Sequence, residues 1–357
     1  MGEFAKGKRH GRGTFRSPDG ASYDGEWRED KKHGQGTDSY PSGASYGGQW
    51  SEGKRHGRGT YSYPDGTSYD GEWAEDVKHG QGILSFLDGA SYDGEFAGGK
   101  QHGEGTYTYP GACGSYDGEW RGGKRHGQGT LSFLVPGDFE RGAADGGSYD
   151  GEWAEDLKHG RGAFSYPDGG SYDGEWAEDK RHGRGTFTNP DGGCYEGEWA
   201  EDMQHGRGTL SLPDGSAYEG AWAEDAKHGQ GTLSLSDGTR YEGQWADGRM
   251  HGQGSCSYPD GGSYAGQWAD HQKHGQGAFI FPSGASYDGQ WRWGKRHGRG
   301  THTFMDGGSY EGQFADDRQH GRGTRFLANG SRAPCAYEHG ELRSAPLLGS
   351  CAPCVLA

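Results

Sequence analysis

Histidine is the first residue in this chain whose type and spacing suggest chemistry. Fourteen of the 17 histidines recur at intervals that are nearly all 23 residues: His10, His33, His56, His79, His102, His126, His159, His182, His205, His228, His251, His274, His297 and His320. Imidazole binds transition metals and transfers protons near neutral pH. A metal ion needs ligands that converge, whereas histidines one interval apart lie too far from each other to share an ion. We therefore expect a structural role, with each ring hydrogen-bonded to turn backbone or to a nearby carboxylate.

A second column, seven residues before the histidines, carries a carboxylate or an amide. Its members are Glu26, Glu72, Glu95, Glu119, Glu152, Glu175 and Glu198, and later Gln244, Gln267, Gln290 and Gln313. A catalytic carboxylate is a single residue in an unusual environment, and an amide cannot replace it. The repetition favours cross-strand pairing of this residue with His or Arg. We expect a protein that is not an enzyme and needs no cofactor or metal.

A basic residue precedes most of these histidines. The column consists of Arg9, Lys32, Arg55, Lys78, Arg125, Lys158, Arg181, Lys227, Lys273 and Arg296. Anionic lipid headgroups could lie along such a row, and each nearby cation would contribute about 1 kcal/mol. The candidate headgroup contacts are Lys78, His79, Arg125, His126 and Lys158. The alternative is local neutralisation, because a Glu-Asp pair often lies in the same loop.

The C-terminus carries a candidate lipidation signal. Cys354 begins the sequence Cys-Val-Leu-Ala, which fits a prenylation motif, and Cys351 could be palmitoylated. One lipid chain holds a protein at a membrane only marginally, so a second signal would be needed. The alternative is an apolar tail that ends this way by chance.

The composition excludes several classes of protein. The formal charge of -16 makes nucleic acid an unlikely partner. No stretch approaches the ~20 apolar residues of a membrane span. The N-terminus has no apolar signal segment, so we expect a cytoplasmic protein with reduced cysteines. Aliphatic residues are scarce but 12 Trp, 21 Tyr and 13 Phe are present, which predicts a core built from aromatic rings.

Tyrosine sets the period that organises the chain. It recurs at residues 23, 46, 69, 92, 116, 149, 172, 195, 218, 241, 264, 287 and 310. We number each unit from this tyrosine as position 0, which puts glycine at +2, Trp or Phe at +4, the basic column at +9, histidine at +10, glycine at +11 and +13, and a Pro-Asp-Gly-like turn near +18. Residues 1–342 form the predicted array of about 14 units, with extra residues near 111–114 and 135–144. Tyr337 is interpreted as the opening of one last unit, and 343–357 as a flexible tail.

Each unit predicts two short strands separated by turns. In the unit that begins at Tyr69, alternation places Tyr69, Gly71 and Trp73 on one face of the first strand. The same rule places Gly80, Gly82, Leu84 and Phe86 on that face of the second strand, with His79 on the other. A single hairpin cannot bury its rings, so neighbouring units must stack, and the glycines leave room for a neighbouring unit's ring. The fold class is all-β: an elongated single-layer array of antiparallel β-hairpins.

The unit resembles the MORN repeat, whose pattern is Tyr-x-Gly-Glu-Trp followed by His-Gly-x-Gly. Residues 23–36 read YDGEWREDKKHGQG, and later copies follow this pattern over about residues 1–342. The resemblance implies a hairpin solenoid with a shallow aromatic groove. Proteins of this family include plant phosphatidylinositol phosphate kinases, junctophilins at membrane contacts, radial-spoke head proteins and parasite cytoskeletal scaffolds. Some of the scaffolds dimerise, which adds a homodimer to the expectations.

These observations lead to one functional hypothesis and two alternatives. The hypothesis is a rod-like scaffold that joins proteins in a ciliary or cortical cytoskeletal assembly. Its partner-binding groove is predicted to contain Tyr69, Trp73, Phe86, Tyr172 and Trp176. The first alternative is a lipid-anchored, phosphoinositide-contacting peripheral membrane protein. The second is a regulatory array related to phosphatidylinositol phosphate kinases.

Overall fold

A computed structural model describes residues 2–133 and 147–344. The predicted insertion at 135–144 and the two candidate lipidation sites, Cys351 and Cys354, lie outside the described residues. The chain divides into two compact units, Met1–Pro190 and Asp191–Ala357. The described residues include no helix of the length and apolarity needed to cross a membrane.

The first unit is a succession of antiparallel strands, each paired with the strands before and after it in sequence. A single turn of 3-10 helix, Pro110–Ala112, follows the tenth strand and contains the first insertion. The strands are β1(Gly2–Ala5), β2(Lys8–Arg16), β3(Ser22–Arg28), β4(Lys31–Ser39), β5(Ser45–Ser51), β6(Lys54–Ser62), β7(Ser68–Ala74), β8(Val77–Ser85), β9(Ser91–Ala97), β10(Lys100–Thr108), β11(Gly114–Arg121), β12(Lys124–Phe133), β13(Ser148–Ala154), β14(Leu157–Ser165), β15(Ser171–Ala177) and β16(Lys180–Thr188).

The second unit repeats this plan with fourteen described strands. They are β17(Cys194–Ala200), β18(Met203–Ser211), β19(Ala217–Ala223), β20(Ala226–Ser234), β21(Arg240–Ala246), β22(Arg249–Ser257), β23(Ser263–Ala269), β24(Gln272–Ile280), β25(Ser286–Arg292), β26(Lys295–Thr303), β27(Ser309–Ala315), β28(Arg318–Phe326), β29(Arg332–Glu338) and β30(Glu341–Ser344). The predicted all-β array of antiparallel hairpins is confirmed.

The buried layer of each 23-residue repeat consists of the tyrosine at position 0 and the Trp or Phe at +4. Tyr69 is 0% exposed and Trp73 is 4% exposed. The Tyr69 ring meets the Trp73 ring edge to face at 5.2 Å and the Phe96 ring of the next repeat at 4.9 Å. Edge-to-face pairs at this distance are the favoured aromatic geometry. Each tyrosine is therefore covered by two repeats, as the stacking prediction required.

Glycine at +2 and +13 makes room for the tyrosine of the same repeat. Gly71 and Gly82 lie opposite each other in β7 and β8. A Cβ atom at Gly82 would lie 2.5 Å from the Tyr69 hydroxyl oxygen. The sequence pattern predicted that a ring of the neighbouring repeat fills this space, and this prediction is wrong. The position-0 side chain runs along its own hairpin, and its hydroxyl donates to the backbone oxygen of Glu72 at 2.9 Å.

A break in register between the two strands corrects a second prediction. Gly71 pairs with Gly82 but Glu72 pairs with His79, so two residues of β8 bulge out between these pairs. One of them is Gly80, at φ +56, where an added Cβ would collide with the Glu72 carboxylate. Gly80 therefore does not share the tyrosine face as predicted. The bulge places Lys78 opposite Trp73 instead, so the +9 column joins the aromatic face.

One hydrogen bond joins the tryptophan at +4 to the preceding repeat in ten repeats. The Trp73 indole N–H donates to the Gly59 oxygen at 2.8 Å. The bond persists where residues are inserted, because Trp120 donates to Gly105 and Trp153 to Gly129, both at 2.9 Å. The bond and the ring packing are therefore the same in the repeats that follow the two insertions as in the others.

The last repeat begins four residues earlier than predicted, within the same strand β29. Tyr337 lies opposite Gly321 in β28 and β29, which is the pairing that +4 residues make elsewhere. Its ring meets the Tyr310 ring at 5.4 Å and 84°. Tyr337 therefore occupies +4 and does not open a unit, since Ala333 stands at position 0. The array ends with a hairpin that has no tyrosine of its own to cover.

Candidate functional site: the aromatic face

The accessible part of the aromatic face is formed by positions +15 and +17, which we call the outer strip. These side chains lie beside the buried tyrosines and are mostly half-buried. Tyr61 and Tyr63 lie 4.5 Å apart by ring centroids, and Tyr61 meets Tyr40 of the preceding repeat at 6.2 Å. In the second unit Phe279 lies 4.7 Å from Phe281. The strip therefore presents clusters of rings in both compact units.

Two shallow recesses open along the outer strip. One, of about 450 Å³, is lined by Phe15, Trp27, Asp38 and Tyr40 together with neighbouring polar residues. The other, of about 560 Å³, lies in the second unit and is lined by Phe281, Ala285, Arg296, His302, Phe304 and Met305 with two further residues. Both recesses combine aromatic rings with charged groups.

Arginine at +9 is fixed by the turn of the next repeat. The Arg55 Nε donates to the Asp76 carboxylate at 3.1 Å, and its Nη2 donates to the Asp76 backbone oxygen at 2.8 Å. The guanidinium carbon also lies 4.2 Å from the Trp73 ring centroid. The same clamp joins Arg9 to Asp30, Arg125 to Asp156 and Arg296 to Asp317. The predicted neutralisation thus occurs, with the acid supplied by the following repeat.

The turn that supplies this aspartate adopts an unusual backbone. Glu75 and Asp76 have φ values of +52° and +71°. Two-residue hairpins with both central residues at positive φ match the twist of the strands but usually need Asn or Gly. The Asp76 carboxylate accepts from the backbone N–H of Arg55 at 2.9 Å, and the Asp76 N–H donates to the Arg55 oxygen. These bonds hold a non-glycine turn in place.

At Lys78, lysine at +9 is not held by an aspartate in the way that arginine is at Arg55. Lys78 Nζ lies 5.3 Å from the Tyr69 ring centroid and 5.6 Å from that of Phe96. Burial lowers the pKa of its ammonium group. The next turn is Gly98-Gly99 and supplies no carboxylate. Lys32 instead pairs within its own repeat with the buried Asp38, at 2.6 Å.

A family model decides the identity of the repeat. The model described as the MORN repeat matches fourteen consecutive segments: residues 1–22, 23–45, 46–68, 69–91, 92–112, 116–133, 149–171, 172–194, 195–217, 218–240, 241–263, 264–286, 287–309 and 310–332. The chain belongs to the MORN repeat family. Members of this family are generally non-enzymatic, and the repeats indicate a scaffold or a membrane-interacting protein.

The MORN array is also similar to solved structures, at low overall agreement. The SAS-4 TCP domain of Drosophila melanogaster, in complex with a proline-rich motif of Ana2, has 14% identity and a TM-score of 0.28, covering 43% of this chain and 83% of that one. The TCP10 domain of Danio rerio CPAP with a STIL peptide has 12% identity and a TM-score of 0.24, covering 78% and 92%. Virginiamycin B lyase of Staphylococcus aureus has 11% identity and a TM-score of 0.12, covering 84% and 83%. No curated protein matches the sequence.

The predicted groove residues lie deeper in the MORN array than their proposed role requires. Tyr69 and Tyr172 are 0% exposed, and Trp73 and Trp176 are 4% exposed. Of the five, Phe86 belongs to the outer strip, where it lies 6.3 Å from Tyr107. Their role in binding stays a prediction, but four of them can act only by supporting the strip. The strip itself could have been found from sequence, because apolar residues recur at +15 and +17.

The predicted lipid row is divided between the two faces of the MORN sheet. The Lys158 ammonium lies 4.4 Å from the Trp176 ring, and the Arg125 guanidinium lies 4.2 Å from the Trp153 ring, so both share the aromatic face with Lys78. His79 lies opposite Glu72 on the polar face, and His126 follows Arg125 in the same strand. Successive residues of a strand point to opposite faces. The five residues therefore do not form one surface, and lipid contact by them stays a prediction.

The residue at +3 has a structural partner that explains why either glutamate or glutamine can occupy this position. Glu152 accepts from the backbone N–H of Arg161 at 3.1 Å, and Gln267 accepts from that of Gln276 at 2.8 Å. The expected His or Arg side-chain partner is replaced by a backbone N–H beside the bulge. A carboxylate and an amide both offer the oxygen that this bond needs.

The MORN histidines make fewer hydrogen bonds than predicted. The Nδ1 atom is buried and has no hydrogen-bond partner among the described residues in His33, His126, His274, His297 and His320. In these five rings the predicted hydrogen bond to turn backbone or to the +3 carboxylate is not made through Nδ1. His274 packs instead on Trp293 at 4.9 Å. Within the described ranges no group of three His, Cys, Asp or Glu side chains could hold a metal ion.

Proposed function

We propose that this MORN protein is a non-enzymatic scaffold that binds partner proteins along its outer strip, within a ciliary or cortical cytoskeletal assembly of the cytoplasm. The observation that carries the proposal is the outer strip itself. It repeats half-buried rings such as Tyr61, Tyr63, Phe279 and Phe281 on a face whose stability rests on other residues.

The separation of binding from folding supports this function. The tyrosines at position 0 are almost fully buried and hydrogen-bonded, so the hairpins hold together without the strip. The strip is therefore free to differ between repeats and to recognise a partner. Exposed rings beside fixed cations favour a protein segment, because aromatic and arginine side chains are enriched in protein interfaces.

The test is the fraction that retains the protein when its native cells are extracted with a mild non-ionic detergent. We expect the wild type in the insoluble cytoskeletal pellet. A variant with Phe279→Ser, Phe281→Ser and Phe304→Ser should move to the soluble fraction while its thermal unfolding stays cooperative. Ile280→Ser is the matched control, because Ile280 is 51% exposed and lies between two strip residues in sequence but on the opposite face.

Two results would contradict the proposal. Equal retention of the strip variant and the wild type would remove the outer strip as the binding surface. Release of the wild type into the detergent phase would favour the lipid-anchored alternative, and mass spectrometry of the C-terminal peptide would then follow.

A further inference from the structure

The +9 column contains two kinds of site, which differ in whether the next repeat supplies a carboxylate to pair with the cation. Every arginine is followed by an aspartate at +7 of the next repeat: Arg9 by Asp30, Arg55 by Asp76, Arg125 by Asp156, Arg181 by Asp202 and Arg296 by Asp317. Four of the five lysines are followed there by glycine: Lys32 by Gly53, Lys78 by Gly99, Lys227 by Gly248 and Lys273 by Gly294. The residue at +9 is thus correlated with the residue at +7 of the next repeat. The two kinds of site therefore differ at both positions.

The arginine sites display the geometry of a carboxylate seated on this face. The Asp317 carboxylate accepts from the Arg296 Nε at 3.3 Å and from its backbone N–H at 3.0 Å, while the guanidinium lies 5.6 Å from the Phe314 ring. The position beside a +9 cation therefore accommodates an acidic side chain presented by a neighbouring backbone. At these repeats the chain supplies that side chain itself.

Three lysines lack such a partner among the described residues. Lys78, Lys227 and Lys273 make no hydrogen bond or ion pair with a described carboxylate, in contrast to Lys32, which has Asp38. Burial lowers the pKa of all three ammonium groups. A half-buried ammonium surrounded by rings retains hydrogen-bond donors that favour an anion.

The surroundings of the three lysines are aromatic. Lys227 Nζ lies 4.9 Å from the Tyr218 ring and 5.1 Å from the Trp245 ring. Lys273 Nζ lies 4.0 Å from Phe279, a residue of the outer strip, and 5.0 Å from Trp291. The Lys273 ammonium thus lies at the inner margin of the strip, as does that of Lys78, whose Nζ lies 5.7 Å from the Tyr63 ring centroid. The Lys227 ammonium occupies the same repeat position, between two rings of the buried layer.

We propose that Lys78 in the first compact unit, and Lys227 and Lys273 in the second, bind carboxylates of acidic, extended protein segments that lie along the outer strip of the same unit. This inference rests on the scaffold function and names its partner by chemistry. Charge complementarity supports it, because the partner's carboxylate takes the role that Asp317 plays for Arg296. A membrane surface fits less well, since its headgroups would have to reach cations recessed between rings.

The repeat length sets the spacing of the partner's acidic residues. Lys227 and Lys273 lie two repeats apart in the second unit, which is four strands or about 19 Å at ~4.8 Å per strand. An extended segment advances ~3.3 Å per residue, so about six residues span this distance. The segment should carry two acidic residues about six positions apart, with apolar residues between them.

The experiment selects ligands from a display library of random linear peptides, using the full-length protein as bait. A clamped variant gives the decisive comparison: Lys78→Arg with Gly99→Asp, Lys227→Arg with Gly248→Asp, and Lys273→Arg with Gly294→Asp. These substitutions reproduce the Arg–Asp pair of the arginine sites. The backbone already has the required conformation, because Gly294 has φ +78° and Asp317, at the equivalent position, has φ +69°. The variant should fold and fill the three sites with its own aspartates.

We expect the selected peptides to be enriched in Asp and Glu at this spacing and to bind the clamped variant at least tenfold more weakly. Loss of one charge-assisted hydrogen bond of ordinary strength weakens binding by about this factor. Two controls should bind like the wild type. Lys158→Arg alters a lysine that already faces Asp179, whose carboxylate accepts from the Lys158 backbone N–H. Lys54→Gln, Lys100→Gln and Lys295→Gln together change the net charge by the same amount at positions that line neither recess of the strip.

Three outcomes would overturn the inference. One is selection of peptides without acidic enrichment, and another is equal affinity for the wild type and the clamped variant. The third is flotation of the wild type with phosphatidylserine vesicles, lost in the clamped variant, while no acidic peptide is selected. If the wild type remains in the cytoskeletal pellet and the clamped variant does so equally, the scaffold function stands and this inference fails. Loss of the wild type from the pellet would instead remove the scaffold function.

Discussion

The buried layer, formed by the tyrosine at position 0 and the ring at +4 and called the inner layer below, shares one face of the sheet with the outer strip. The two regions differ in how much their residues vary from repeat to repeat. Position 0 is tyrosine in every complete repeat from residue 23 to 332, and all are buried. Position +15 holds residues as different as Asp38, Leu84, Cys256, His302 and Arg325. The tyrosine is fixed because its ring must reach past two glycines to a backbone oxygen, whereas a strip residue meets no such demand. The fold is carried by the invariant layer, and recognition is left to the variable one.

Alkaline pH should expose the inner layer most strongly. Burial raises the pKa of Tyr46 and Tyr218 to about 12, above the value near 10 of an unfolded tyrosine. A raised pKa means that the stabilising contribution is complete below about pH 10 and is lost as the pH rises through the folded value. We expect cooperative unfolding in this window, followed by circular dichroism, with the tyrosinate absorbance of position 0 rising in the same transition. Full ionisation of these tyrosines before any loss of structure would contradict the buried layer.

Trp73→Ala should be the most damaging single change of the inner layer. It removes a buried ring that covers Tyr69 and Tyr46, together with the indole bond to Gly59, and should lower the free energy of unfolding by about 3–5 kcal/mol. Denaturant titration measures the loss. Trp73→Phe is the matched control, because Phe96 occupies +4 naturally, and it should cost only about 1 kcal/mol for the lost hydrogen bond. Equal stability of all three proteins would disprove ring stacking.

Gly82→Ala tests the clearance beneath the tyrosine with one added methyl group. The new Cβ would lie 2.5 Å from the Tyr69 hydroxyl, and overpacking of this kind costs about 1–3 kcal/mol. Gly47→Ala is the control, since its nearest neighbour, the Thr37 hydroxyl, would lie 3.7 Å away. That variant should change the thermal midpoint little. A larger effect at Gly47 than at Gly82 would reverse the assignment of the crowded position.

Leu212→Ser should have the smallest effect, because Leu212 belongs to the outer strip and is 45% exposed. Loss of its remaining apolar contact should cost below about 1 kcal/mol in denaturant titration. A cost as large as that of Trp73→Ala would show that the strip also carries the fold, and the contrast between the two regions would fail.

The period predicted most of the fold, and the exceptions have physical causes. Tyrosine every 23 residues and alternation within strands were sufficient for the hairpin array, since each strand pairs only with its neighbours. The bulge was missed because strict alternation assumes an unbroken ladder, although the glycine recurring at +11, seen in Gly80 at positive φ, was its signal. Tyr337 was misplaced because residue type was weighed above register: it lies 27 residues after Tyr310, which is one period plus four.

The candidate site was predicted less well than the fold. The largest rings attract attention in a sequence, but in a single-layer sheet they are the ones that must be buried, as Tyr69 and Trp73 are. The difference between clamped Arg55 and unclamped Lys78 depends on a residue one repeat further along the chain. Such a link becomes visible only when the pairing of turn and strand is known.

The bond from a +4 tryptophan to the preceding repeat gives the array a direction that matches its synthesis. Trp73 donates to Gly59, and Trp176 to Gly162, each 14 residues earlier in the chain. As the polypeptide leaves the ribosome, each tryptophan that makes this bond meets an acceptor that has already emerged. Folding can therefore follow translation one hairpin at a time, and no strand waits for a distant partner.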